Sequence, residues 1–144
     1  VRRSPEQLTE VAFPGITDPS PVRYNGRRLL FATHQMHIIQ FEGDKAPMAE
    51  VHLTTETTQH FAQATVAYAT VIDKQIVLVA QVIDNGRKIP VLSYSTDALS
   101  WSRWERINMP RTLNSCTSPV LGPHPNGGWI LFCIEERFRT EFHR

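Results

Sequence analysis

The side chains of this 144-residue chain that could do chemistry are few and dispersed. Asp18 stands directly before Pro19, and Glu135, Glu136 and Arg137 form a charged run near the other end. Two carboxyl groups brought together by a fold can act as proton donor and as base or nucleophile. Asp18 with Glu135 or Glu136 is the pairing that the sequence offers. Each also has a plain reading: an Asp before proline starts turns, and Glu135 to Arg137 reads as a solvated strand end. His34 and His37 are close enough to share a metal, but no third ligand stands near them, so no metal or cofactor is expected. His52, His60, His124 and His143 are scattered and read as surface residues. There is no Ser-His-Asp order, phosphate-binding glycine loop or Cys-x-x-Cys pair.

The elements that must position these groups are strands. Ten prolines, seven glycines and many Val, Ile, Thr and aromatic residues favour short strands joined by turns. No window keeps apolar residues at helical spacing for three turns; the best helical candidate is Ser4 to Val11, with Pro5 at its first position. Fifteen Lys and Arg against fourteen Asp and Glu give a net charge of +1, without the basic excess of a nucleic-acid binder. The longest apolar runs, such as Ile76 to Ala80, fall far short of the ~20 residues that span a bilayer. The first ten residues are charged and polar and show no secretory-signal pattern.

An internal repeat organises the chain. Gly26 to Ala32, Asp73 to Ala80 and Gly127 to Cys133 are each an apolar run opened by a tight turn. Placing Ala32, Ala80 and Cys133 in register gives spacings of 48 and 53 residues. Ser20-Pro21-Val22 and Ser118-Pro119-Val120 precede the first and third runs. A period near 50 built of short strands predicts a β-propeller, with about four strands in each blade. The expected strands are about 21–25, 27–34, 37–43 and 48–53, then about 62–72, 74–84, 88–96 and 101–109. A third set follows at about 117–123 and 128–136, with a stub at about 138–143, and residues 8–13 form an extra strand. The fold class is therefore all-β, a single 1–144 domain of about two and a half to three blades (about 17–53, 61–109 and 116–144). That is too few to close a ring. Either the chain is a piece of a longer one, or further chains, including copies of itself, finish the ring.

Two resemblances follow from particular residues. Ser95-Thr96-Asp97-Ala98-Leu99-Ser100-Trp101 resembles the Asp box (BNR repeat), Ser-x-Asp-Gly-x-x-Trp, of sialidases and related propellers, with Ala98 in place of the glycine. There Ser95 and Asp97 would hold a tight turn and Trp101 would lie flat between blades, a folding element remote from any active site. Thr17-Asp18-Pro19-Ser20, followed by Asn25-Gly26-Arg27-Arg28-Leu29-Leu30-Phe31, is similar to the opening of five-bladed glycosidases of the arabinanase and xylosidase type. That likeness implies hydrolysis of a glycosidic bond, with Asp18 as general base. It also implies an Asp near the inner strand of the second blade, where Gln59 to Val66 has none.

Because consecutive antiparallel strands reverse direction, blade connections alternate between two faces. Asn25-Gly26, Asp73-Lys74, Asn126-Gly127 and the Ser95 turn should share one. Asp18, His34 to His37, His60, Asp84 to Lys88, Asn114 and Glu135 to Arg137 should share the other. On that second face His34, Arg87 and Arg137 are the candidate ligand contacts, the arginines suited to an acidic sugar. The functional expectation is a glycan-directed propeller with a carbohydrate ligand. The alternative is a non-catalytic carbohydrate- or protein-binding module or assembly scaffold. The family likeness leans towards a secreted, extracellular setting. Cys116 and Cys133 are placed symmetrically about a hairpin centred near about 124.5, as a disulfide or as two buried thiols.

Overall fold

In a computed structural model of the chain, residues 15–43, 49–51 and 64–134 are described. The strand expected at 8–13, the helical candidate at 4–11, the stub at 138–143, and His60, Glu135, Glu136 and Arg137 lie outside them. All regular structure among the described residues is β-strand. β1 (Thr17–Tyr24), β2 (Arg27–His34), β3 (His37–Glu42) and β4 (Ala49–Val51) form one antiparallel sheet in that order. β5 (Thr65–Ile72), β6 (Gln75–Asp84), β7 (Arg87–Ser95) and β8 (Glu105–Arg106) form a second, and β9 (Thr117–Pro123) pairs with β10 (Trp129–Ile134) in a third. β1 packs beside β5, and β5 beside β9, so the first strand of each unit is innermost. This is a partial β-propeller.

The hairpins form where the sequence supplies residues that accept positive φ. Asn25 and Gly26 take φ 50° and 77°, and Asn85 and Gly86 take 54° and 76°, the pair of left-handed residues that a two-residue hairpin matched to strand twist requires. Asp73 and Lys74 do the same at 50° and 65° without a glycine.

The core lies between the first two blades. Phe31, Leu29 and Ile38 meet Ile76, Leu78, Ala80, Ile89 and Val91, with Trp104 closing the outer side. Ala67 and Ala69 of β5 are also buried there; small side chains suit the place where blades converge on the axis. The base of this interface is polar and satisfied. The Tyr24 hydroxyl lies 2.7 Å from Lys74 O and 2.9 Å from Thr96 O. Arg27 grips Glu42 with two nitrogens, at 2.8 and 3.2 Å, and donates a third bond of 3.1 Å to Asp97 O. These bonds bring the Asn25, Asp73 and Ser95 turns to one face, as the alternation of connections requires.

The third blade differs. Phe132 and Ile134 are 52 % and 63 % exposed, whereas Phe31, at the position equivalent to Phe132, is 0 % exposed. Among the described residues nothing packs on this flank as the second blade packs on the first.

Candidate functional site

The inner strands share one irregularity. In β1 two residues, Asp18 and Pro19, stand opposite Ala32 alone; in β5 Val66 and Ala67 stand opposite Ala80; in β9 Ser118 and Pro119 stand opposite Cys133. Each is a β-bulge with one extra residue, and the first residue of each has positive φ: Asp18 54°, Val66 57°, Ser118 52°. Proline fits the second position because a bulge residue has no ladder partner to serve. Asp18 is thus a bulge residue inside β1, which begins at Thr17 and not near residue 21, and the turn-starter reading is corrected. The alignment of Ala32, Ala80 and Cys133 holds. The matching Ser-Pro-Val words do not: Ser118 is equivalent to Asp18, and Ser20 to Val120.

The bulges set what each blade shows at the entry end of its inner strand. Asp18 is exposed there, and aspartate is among the residues that tolerate left-handed backbone. Val66 holds the equivalent place in the second blade, at a φ that costs a β-branched residue of order 1–3 kcal/mol. Ser118 holds it in the third. The second-blade carboxylate expected from the glycosidase likeness is therefore not at the bulge, and Asp18 is the one acidic residue among the three positions.

The remaining candidates on this face spread outwards. His34 ends β2, with its ring beside Gly15. His37 is exposed at the start of β3. No three His, Cys, Asp or Glu side chains among the described residues gather as a metal site. Arg87 opens β7, the third strand of its blade, and its Nε donates 2.8 Å to Asn114 O. Ser115 Oγ accepts from Lys88 N at 2.9 Å, and Cys116 N donates to Lys88 O at 2.9 Å. Asp84 to Lys88 and Asn114 thus lie together, towards the outside of the blade.

On the opposite face, Ser95 Oγ donates to Asp97 Oδ1 (3.0 Å) and accepts from Asp97 N (3.2 Å) and Ala98 N (2.8 Å). Asp97 Oδ1 accepts from Leu99 N and Ser100 N, each at 2.9 Å. The Ser100 and Leu99 amides, then the Ser95 hydroxyl, hold the Asp97 carboxyl below the usual carboxylate range. Ala98 takes φ 62°, which is why a glycine suits that place in such a turn. Trp101 leaves the turn and meets Phe31 edge to face, with ring centroids 5.7 Å apart. It reaches the interblade layer as expected, in an edge-on contact.

Two positioning residues escaped the reading of the sequence. Thr33 stands opposite Thr17, and Gln81 opposite Thr65. Thr33 Oγ1 accepts from Val66 N at 2.9 Å and Gln81 Oε1 accepts from Ser118 N at 2.8 Å. In each case the second strand of one blade holds the bulge of the next. The same offset of 48 residues that aligns Ala32 with Ala80 would have paired them. Gln81→Leu should destabilise the fold by about 1–3 kcal/mol, because it leaves the Ser118 amide without its acceptor. Gln81→Glu, which keeps an acceptor, should lose less; urea denaturation followed by tryptophan fluorescence gives both values. Equal stability of Gln81→Leu and the parent would remove the bond from the account.

No protein-family model matches the sequence, and no curated protein is significantly similar to it. Solved structures do match. A thermostable family-43 glycoside hydrolase superposes with TM-score 0.61 at 16 % identity, over 81 % of this chain and 40 % of that one. A family-43, subfamily-1 enzyme from Xanthomonas citri, solved with xylose, superposes with TM-score 0.58 at 12 % identity, over 84 % of this chain and 40 % of that one. An exo-1,5-α-L-arabinanase from a bovine ruminal metagenomic library gives 0.56 at 15 % identity, over 82 % of this chain and 46 % of its own. The chain spans less than half the length of these enzymes, and at such identities the likeness is one of fold: the described blades are built like a segment of a family-43 glycoside hydrolase propeller.

Proposed function

We propose that this chain is the Asp18-bearing segment of a glycan-directed propeller that hydrolyses a glycosidic bond. The observation that carries the reading is Asp18, an exposed carboxylate raised on a bulge at the entry end of an innermost strand, in a fold shared with glycosidases. Hydrolysis needs a second carboxyl group, to protonate the leaving oxygen while the first acts on water or the sugar. Glu135 and Glu136 follow β10 directly in sequence and are the candidates for it. Of the two enzyme lineages, the arabinanase and xylosidase type is favoured over the sialidase type. The Ser95–Asp97–Trp101 turn is read as an Asp box retained for architecture. The Cys116–Cys133 disulfide supports an oxidising, exported setting. The exposed flank of the third blade, with Trp129, Phe132 and Ile134, supports completion of the ring by further blades, whether from a longer parent chain or from other copies.

Aryl-xyloside and aryl-arabinofuranoside substrates test the activity. Turnover should fall by roughly 10²–10⁴-fold in Asp18→Asn and Glu135→Gln variants that keep their fold. Light scattering in the same preparation gives the mass and so the number of blades assembled. Turnover untouched by Asp18→Asn would overturn the assignment. A second reading, a non-catalytic glycan- or protein-binding module, is favoured by one observation: Val66 and Ser118 leave the two neighbouring bulges without carboxylates. Under that reading xylo-oligosaccharides bind without being cleaved, in the parent and the Asp18 variant alike.

A further inference from the structure

A cavity of about 470 Å³ lies beside the outer part of the second blade, lined by Arg87, Arg106, Ile107, Asn108, Met109, Pro110 and Arg111. Three arginines are among its lining residues. Arg106 reaches one carboxylate, Asp84, at a long 3.4 Å. Glu105, its neighbour in β8, points to the other sheet face by strand alternation. Arg87 spends its Nε on Asn114 O, which fixes the guanidinium plane and leaves its terminal nitrogens to donate elsewhere. Arg111 makes no hydrogen bond or ion pair among the described residues. Cationic charge thus exceeds anionic charge around a concave space whose remaining lining is the polar Asn108 and the apolar Ile107, Met109 and Pro110.

We propose that this cavity binds a carboxylate-bearing saccharide such as a uronic acid unit. Planar guanidinium forks match the two oxygens of a carboxylate, and an apolar wall matches the C–H face of a sugar ring. The identification of the ligand as a sugar rests on the glycan-directed reading; the anion selectivity rests on the three arginines alone. The cavity adjoins β7, β8 and the 107–111 segment, so it would hold a charged branch or neighbouring unit of a glycan, and not the bond acted on at Asp18.

Titration of the full chain with glucuronate, followed by calorimetry at low salt, tests the proposal, with xylose and inorganic sulfate as comparison arms. Glucuronate should bind, and xylose should be at least about tenfold weaker. Arg111→Gln should weaken glucuronate about tenfold or more, the range expected for one charge-assisted contact. Arg87→Gln should do the same, and because its Asn114 bond also anchors the chain locally, Arg111→Gln serves as the variant free of that role. Aryl-glycoside turnover measured on Arg111→Gln keeps the two readings apart: it should be unchanged if the cavity is separate from Asp18. Sulfate binding as tightly as glucuronate would overturn the saccharide assignment. Glucuronate binding insensitive to Arg111→Gln would overturn the site.

Discussion

Phe31→Ala should cost the fold about 3–5 kcal/mol, the range for deleting a fully buried aromatic ring. Phe31 is 0 % exposed, sits in the sheet opposite Ser20 and Gln40, and carries the edge-to-face contact with Trp101 from the neighbouring blade. Its loss opens a void between blades and also releases Trp101, so the penalty falls on the interface that joins them. Domains of this kind are stable by about 5–15 kcal/mol, and a loss of this size leaves little margin. The repeat supplies an internal control, because Phe132 holds the same place in the third blade but is 52 % exposed. In the 144-residue chain Phe132→Ala should cost less than about 1 kcal/mol, as surface substitutions do. Chemical denaturation of both variants, monitored by near-ultraviolet circular dichroism, measures the contrast. Equal penalties would mean that the third blade is as well covered as the first.

That contrast also shows what in the sequence could be read and what could not. The strands were legible because their turns are chemically marked: Asn25-Gly26 and Asn85-Gly86 punctuate apolar runs, and positive φ at those pairs is what their side chains allow. The alignment of Ala32, Ala80 and Cys133 was legible for a related reason, since apolar runs of one length follow each turn. The bulges were hidden. Their positive φ falls on Asp18, Val66 and Ser118, of which Val66 has no polar, turn-forming side chain, and the conformation is imposed by the two-against-one register. Pro19 and Pro119 were the available signal, but the Ser-Pro-Val words drew the alignment two positions away. Thr33 and Gln81 occupy equivalent places at the 48-residue offset, but what they hold lies across the blades, at sequence separations of 33 and 37 residues.

The candidate site was legible to a lesser extent. Asp18 could be singled out from the Asp-Pro pair and the turn beyond it, and the fold does carry it to the entry end of an inner strand. The face shared by Asp84 to Lys88 and Asn114 followed from strand alternation. What alternation does not give is radial position. Arg87 begins the third strand of its blade and lines a cavity with Arg106 and Arg111, whereas Asp18 lies on an inner strand. A charge on the correct face is thus not yet a charge in the correct place, because a propeller blade is four strands deep.

Reducing the Cys116–Cys133 disulfide should lower stability by about 3 kcal/mol, the chain-entropy value for a loop of this size. The two cysteines are 17 residues apart in sequence and 5.0 Å apart between Cα atoms, a bond across the open end of the β9–β10 hairpin. The hairpin turns about residue 126, as the pairing of Trp129 with Pro123 shows, and not about 124.5. Symmetry about the earlier centre would have placed the cysteines directly opposite, whereas in the observed register Cys133 faces the Ser118–Pro119 bulge. The bridge therefore joins Cys133 to the residue just before β9, and Cys116 is itself tied to the second blade through its amide bond to Lys88 O. A two-stranded sheet has little stability of its own in water, so the covalent link and the Ser118–Gln81 bond together hold it to its neighbour. Reduction should accordingly loosen β9 and β10 first. Hydrogen exchange with and without reductant should show lost protection at Val120 to Gly122 and Ile130 to Phe132, while β2 and β6 keep theirs. Uniform loss across all three blades would instead make the disulfide a support for the whole segment, and no loss would leave the hairpin held by packing alone.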